Sequence, residues 1–166
     1  MLTTDPSAQL RPAVTVTAAA PAAGPSTPTS CLACRVAGRV IVVPAAAVER
    51  VADLEVQPLF PACPAWLAGL AHDAGAGPVL VVRPRGAWRA GPGPVVVVRS
   101  GGRVRWALAI DAVVAVAPHH DSGLPADGWD LPAGWLRATT GGDALLDPGL
   151  VQAHLDAGGA QRVSDG

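Results

Sequence analysis

The feature that most constrains the fold of this chain is a series of short runs of valine, alanine and leucine that end at glycine or proline. The 166 residues include 19 glycines and 17 prolines, and both residue types weaken or end regular structure. Turns between short, mostly apolar strands are therefore favoured over long elements. The pattern predicts an all-β fold with a few short helices.

Three pairs of apolar runs flank tight-turn residues and predict β-hairpins. The turns lie at residues 38–39, 100–102 and 141–142. A buried strand is predicted over 78–82, after a glycine-rich turn. From 103 to 110, large apolar residues alternate with small or charged ones. One face of that strand is therefore predicted to be core, and the other to be small or charged.

Helical segments are predicted at two places. Pro44 suits the first turn of a helix because its missing N–H would be unpaired there anyway. The following Val48 and Val51 share one helical face, which predicts a helix of about two turns. A short terminal helix is expected around residues 150–155, and a polar loop over 118–134.

The segment over 83–94 is dense in glycine and proline and predicts an internal boundary. A run of short strands lies on each side of it, which suggests two small barrels of similar design. The N-terminal segment is rich in alanine, proline, threonine and serine, and it cannot bury enough surface to fold alone. The predicted organisation is a disordered tail over 1–30, a domain over 31–156 with halves at 31–83 and 94–147, and a flexible tail over 157–166.

Composition excludes several classes of protein. A formal net charge of −1 argues against binding nucleic acid through bulk electrostatics. Three cysteines are too few for a disulfide framework, which favours a reducing cytoplasm. The start of the chain lacks the pattern of a secretory signal. The longest apolar stretch, 106–117, is interrupted by Asp111 and too short to span a membrane. We therefore expect a soluble cytoplasmic protein that does not insert into membranes.

Few residues suggest catalysis or metal binding. Cys31 and Cys34 have the spacing of a redox or zinc pair. Residues three apart on a strand point to opposite faces, so the two thiols should not converge. The run from His119 to Asp121 is interpreted as a solvated loop. We predict a protein that is not an enzyme, with no catalytic, cofactor or metal site; the alternative from another class is a redox or zinc protein built on the two cysteines.

The order of apolar anchors, prolines and glycines carries a family resemblance. The matching positions are Val48, Val51, Pro61, Pro64, Trp66, Gly69, Gly75, Pro78, Val79, Ile110, Asp111, Val113, Val116, Leu146, Asp147, Leu150 and Val151. Over residues 31–155 the pattern resembles a CheW-like domain. The resemblance implies two small SH3-like, five-stranded β-barrels that share a core. It also implies a non-enzymatic adaptor of bacterial chemosensory signalling that joins chemoreceptors to the histidine kinase CheA.

Three charged positions of the family pattern are changed in this chain. Arg50 stands where the family usually has Glu, Ala74 replaces an Arg, and Val81 replaces an Asp. Reversing or deleting these charges should weaken the binding of any partner whose own charges complement the usual family pattern. The alternative function is therefore a divergent CheW-like module of another chemosensory or motility system. We expect Arg50→Glu to change partner affinity.

The resemblance also implies where partners bind. Cytoplasmic tips of methyl-accepting chemoreceptors would occupy the groove between the barrels, and a CheA-like histidine kinase would dock on barrel edges. Neither nucleic acid nor membrane is an expected partner. The candidate partner-binding residues are Val48, Arg50, Gly69, Ala74, Ala107, Val113 and Val116.

Overall fold

The computed structural model describes residues 27–59, 64–85, 91–99 and 101–164, with side chains described as far as 158. This part of the chain forms eleven strands, one 3-10 turn at Ala45–Ala47, and one α-helix. The elements are β1 Thr29–Val36, β2 Arg39–Pro44, β3 Val48–Gln57, β4 Leu67–Asp73, β5 Gly77–Val82, β6 Gly91–Val98, β7 Trp106–Ala109, β8 Ala112–His119, β9 Asp121–Pro125, β10 Leu136–Thr139, β11 Ala144–Leu146 and α1 Pro148–Ser164.

Five strands form a closed barrel in the order β3-β4-β5-β7-β6. Its neighbours are antiparallel except for β5 and β7, which pair in parallel. The contact between β3 and β4 is short, since the described pairs there are Val56 with Ala71 and Gln57 with Leu70. The barrel is therefore splayed where the first part of β3 passes the end of β4.

The other six strands form a sheet in the order β8-β1-β2-β11-β10-β9. Although β8 and β9 lie at opposite edges, His120 alone separates them in the chain. Two consecutive Cα–Cα steps span at most about 7.6 Å, so the two edges must meet at that end. The sheet therefore curls towards a second barrel. The predicted all-β class and barrel architecture are confirmed.

The two units are not successive halves of the chain. The closed barrel takes its strands from residues 48–109, whereas the second sheet combines β1 and β2 with β8 to β11. Parallel pairing joins β2 to β11, with Ile41 opposite Ala144. The predicted ranges 31–83 and 94–147 differ from this division because the first hairpin pairs with strands near the end of the chain.

A shared core lies between the two units. On β6, Val96 and Val98 belong to this central cluster, whereas Val95 and Val97 belong to a second cluster with other barrel residues. Both faces of β6 are therefore buried, which explains its unbroken valine run. The same holds for β7, where the face of small side chains is also buried: Ala107 is 0% exposed.

Helix α1 packs on the central cluster through Val151 and Leu155. Hydrogen bonds of Gln152 and Asp156 also fix it. Among them, Trp106 Nε1 donates to Gln152 Oε1 at 3.0 Å, and Asp156 Oδ1 accepts the backbone N–H of Arg103 at 3.0 Å. The helix begins at a cap, because Asp147 Oδ1 accepts the N–H groups of residues 149 and 150. None of the helices described is long and apolar enough to cross a membrane.

Three sequence expectations about local structure are wrong. The segment after Pro44 forms a 3-10 turn and then β3, because pairing of β3 with β6 from Val48 onwards outweighs helix propensity. The predicted loop over 118–134 contains the end of β8 and all of β9. The predicted C-terminal tail is largely helical, since α1 continues to Ser164. The predicted N-terminal tail lies outside the described residues up to residue 26, and β1 begins at Thr29.

Candidate partner-binding surface

An ion-pair network occupies the splayed end of the closed barrel. Asp73, at the end of β4, has a side chain that is only 4% exposed. The Arg50 guanidinium on β3 donates a hydrogen bond to its carboxylate. Arg105 Nη2 lies 3.5 Å from the other carboxylate oxygen and 3.3 Å from Glu49 Oε1. A buried carboxylate is thus matched by two guanidinium groups.

The electrostatics of this network favour an ionised Asp73. The hydrogen bond from Arg50 lowers the pKa of the Asp73 carboxyl below its usual value, and the charges of Arg50 and Arg105 act in the same direction. Burial opposes them by raising the pKa. Glu49, Arg50 and Asp73 line an open cleft of about 630 Å³ between β3 and the β4–β5 turn. Exposed Ala74 is part of the same lining.

Arg50 is therefore not an unpaired charge awaiting a partner. Its position departs from the family pattern, but within this chain the guanidinium is matched by the neighbouring Asp73. The two residues are 23 positions apart, and no local sequence pattern links them. Sequence reasoning compared each position with the family separately and missed Asp73 as the partner.

Two of the predicted site residues are buried in the barrel. Ala107 faces the barrel interior and is 0% exposed. Gly69 is also buried, and a Cβ added there would collide with the backbone carbonyl of Gln57. Neither residue can contact a partner in this conformation. Their positions are explained by packing, and we withdraw both from the candidate surface.

Val113 and Val116 lie on β8 and are accessible, with 44% and 64% of their surface exposed. They are paired with Cys34 and Leu32 of β1, which both belong to the central cluster. Directly opposed residues of an antiparallel pair place their side chains on the same face. The two valines therefore continue the apolar face of the central core beyond the covered part of the sheet.

The surface contains one further valine that the sequence reasoning missed. Val114 is 47% exposed, and it lies where the register of β8 against β1 shifts by one residue. Only the irregular pairing reveals this, because the sequence gives no sign of a bulge. Val48 is half-buried against the central cluster. We define the β8 surface as Val113, Val114 and Val116.

The two candidate cysteines are separated by the sheet. Cys34 belongs to the central cluster and Cys31 to a third cluster on the opposite face, as the strand spacing predicted. Burial raises the pKa of both thiols, that of Cys34 to about 11. Since the thiolate is the reactive and metal-binding form, both sites are poorly suited to redox or zinc chemistry. Cys63 lies outside the described residues.

The run from His119 to Asp121 is not a loop. It connects β8 to β9, and Asp121 Oδ2 lies 2.7 Å from Nε of Arg137 on β10. The carboxylate is thus held in an ion pair across neighbouring strands. Within the part of the chain that the structure describes, no three His, Cys, Asp or Glu side chains are grouped to hold a metal ion.

Comparison with known proteins identifies a solved structure with a similar fold. No family model matches the sequence, and no curated protein matches it. Among solved structures, the crystal structure of the scaffolding protein TtCheW from Thermoanaerobacter tengcongensis aligns with a TM-score of 0.50. The alignment covers 73% of this chain and 90% of that chain. The fold is CheW-like.

Sequence identity over that alignment is 16%, so the likeness establishes the fold and assigns no residue roles. The CheW-like fold accounts for the family resemblance in the sequence, since the matched apolar anchors include core residues of both units. Val79 lies inside the closed barrel, and Ile110 and Leu146 lie in the central cluster. The matched positions also include exposed residues, such as Val116 and Leu150, so a match to the pattern does not by itself mark a core residue. The surface has to be judged from this chain alone.

Proposed function

We propose that this protein is a CheW-like adaptor of bacterial chemosensory signalling, acting in the cytoplasm and without catalysis. In this role it couples methyl-accepting chemoreceptor tips to a CheA-like histidine kinase. The observation that carries the proposal is the β8 surface, an apolar patch that continues the shared core of a CheW-like fold. Such exposed apolar patches typically mark protein–protein contacts.

Binding at the β8 surface works by burial of apolar area. Full burial of a valine side chain stabilises by roughly 1.5–3 kcal/mol, so each half-exposed valine contributes on the order of 1 kcal/mol. Three neighbouring valines are enough to act as the centre of a small interface, with surrounding polar groups setting specificity.

A binding experiment with matched variants tests this proposal. Val116 and Leu124 are both 64% exposed, but Leu124 lies on β9, the strand at the other end of the sheet order. Affinity for the cognate receptor fragment and kinase regulatory domain is measured by calorimetry for Val116→Asp and Leu124→Asp. We expect at least a tenfold loss for the first variant, or about 1.4 kcal/mol, and less than a twofold change for the second. Absence of binding by the wild-type protein to both partners would reject the coupling role.

The internally paired Arg50 favours a second candidate, a CheW-like module of another chemosensory or motility system. Arg50 and Asp73 satisfy each other, and Ala74 presents no charge beside them. A partner that requires the usual family charges would find no match at this end of the barrel. Binding to the kinases and receptors of each chemosensory system in the same cell would separate the two candidates.

A further inference from the structure

Strand β3 has an open backbone edge at the splayed end of the closed barrel. Its described pairing with β4 is confined to Val56 and Gln57. Residues 48–55 lie before that contact, and among the described residues they pair with β6 alone. The cleft of about 630 Å³ runs beside this part of β3, with the end of β4 and the β4–β5 turn on its other side. This stretch of strand therefore has room beside it and no neighbouring strand there.

The pairing with β6 shows which backbone groups point towards the opening. Asp53 lies opposite Pro94 of β6. The Pro94 carbonyl accepts a hydrogen bond from the N–H of Ile110, which follows β7, so it points away from β3. Opposed residues of an antiparallel pair either exchange both backbone hydrogen bonds or make neither, so Asp53 directs its N–H and C=O to the open side. Because successive residues alternate, Val51 and Glu55 do the same.

The side chains along this edge set the chemistry of an occupant. Asp53 and Glu55 are exposed, and Val51 between them and the start of β3 is 43% exposed. Within the part of the chain that the structure describes, the ion pairs involve neither of these two carboxylates. The alternate residues, Ala52 and Leu54, pack in the barrel cluster. A strand added here would therefore meet two negative charges on the outer face of the sheet.

We propose that the β3 edge binds an extended segment of a partner protein by strand addition, with basic residues opposite Asp53 and Glu55. In the antiparallel arrangement, an apolar residue of the partner lies opposite Val51. Directly opposed side chains are close enough to interact, and opposite charges there stabilise the pairing. Main-chain hydrogen bonds to β3 supply affinity, and the alternate side chains supply specificity.

The same charges argue against a second copy of this chain as the occupant. Antiparallel pairing of two β3 edges would bring the carboxylates of Asp53 and Glu55 in one copy close to those of the other. Like charges that face each other across two strands are destabilising, and charged side chains commonly protect strand edges in this way. A basic segment turns that repulsion into attraction. The proposal goes beyond the adaptor function and does not involve the β8 surface.

Binding of a labelled peptide, measured by fluorescence anisotropy, tests the proposal. The probe is Thr-Lys-Val-Lys-Val-Val-Thr, whose lysines would lie opposite Glu55 and Asp53. N-methylation of its second lysine removes the N–H that would donate to the Asp53 carbonyl, whereas N-methylation of the next valine alters a group pointing away from β3. All three peptides carry the same charge. We expect about tenfold weaker binding for the methyl-lysine peptide and less than about twofold for the methyl-valine peptide.

Matched variants of the protein locate the bound peptide. The double variant Asp53→Asn, Glu55→Gln removes both charges of the edge. The control Asp127→Asn, Asp130→Asn removes two exposed carboxylates between β9 and β10. We expect about a fivefold loss of affinity in the first variant and less than about twofold in the second. In the wild type, the amides of residues 51, 53 and 55 should exchange more slowly with solvent when the peptide is bound.

Absence of binding by the unmodified probe at about 1 mM would overturn the proposal. Equal affinity of the two methylated peptides, or equal loss in the two double variants, would overturn it in favour of non-specific attraction between charges. A doubled mass of the protein alone in light scattering, with the amides of residues 51, 53 and 55 already protected, would overturn it in favour of a second copy. Since no receptor or kinase is present, each of these results leaves the adaptor function standing.

Discussion

The ion-pair network at the splayed end of the closed barrel and the outer edge of β8 differ in whether their side chains and backbone find partners within the chain. At the barrel end, Asp73 and Arg50 match each other's charge within the chain. At β8, three valines are 44–64% exposed, and one side of the strand has no neighbouring strand among the described residues. The comparison teaches that an unusual charge in a sequence marks an interface only when the fold leaves it unmatched.

The largest effect on stability is expected at Gly69, and it tests whether this residue is needed for packing at the barrel end. Gly69→Ala should lower the free energy of unfolding by about 3 kcal/mol or more, because its Cβ would overlap the Gln57 carbonyl. Gly75→Ala is the control: its φ is also positive, at +85°, but its Cβ would meet open space. We expect about 1 kcal/mol there. Urea unfolding measures both, and equal costs would contradict the packing role of Gly69.

A second, smaller effect should come from the ion-pair network. Asp73→Asn leaves Arg50 and Arg105 without their shared carboxylate, and we expect a loss of about 2 kcal/mol at pH 7. The control Asp53→Asn changes an exposed carboxylate lining the same cleft, and it should stay within about 0.5 kcal/mol. A similar loss in both variants would mean that the paired carboxylate has no special role.

The same network predicts a pH dependence of stability. The folded-state pKa of Asp73 lies below its ordinary value of 3.8, so the folded state binds fewer protons than the unfolded state in that range. The contribution of ionised Asp73 to the free energy of unfolding is complete above pH 3.8, and it is lost as the pH falls through the folded-state pKa. The difference in unfolding free energy between wild type and Asp73→Asn should therefore narrow below about pH 4. A constant difference down to pH 2 would contradict this.

The smallest effect on stability, and the sharpest test of the β8 surface, is expected from Val114→Ser. The side chain is 47% exposed, so the free energy of unfolding should change by less than about 0.5 kcal/mol. Affinity for the receptor fragment should fall about threefold as apolar contact is lost. Val51→Ser, which removes a valine that is 43% exposed on β3, should leave affinity unchanged. Equal effects of both variants on affinity would place the binding surface elsewhere.

The sequence by itself determined the local hairpins and turns. The β1–β2 and β10–β11 turns, the strand from residue 77 and the cap at Asp147 all follow from neighbouring residues. Glycine, proline and capping side chains act within a few positions of themselves, so their effects can be recognised along the chain. The family resemblance depended on the same short-range order of anchors and correctly predicted a CheW-like fold.

Only the tertiary structure decided which strands meet and which side chains remain exposed. Pairing of β2 with β11 joins residues about a hundred positions apart, and the Arg50–Asp73 pair joins two strands of the barrel. Burial of Ala107 and exposure of Val114 likewise depend on which strand lies alongside. Such outcomes follow from long-range strand pairing, which composition and short-range periodicity do not encode. For that reason the candidate surface keeps Val113 and Val116, which the sequence proposed, gains Val114, and loses the buried Gly69 and Ala107.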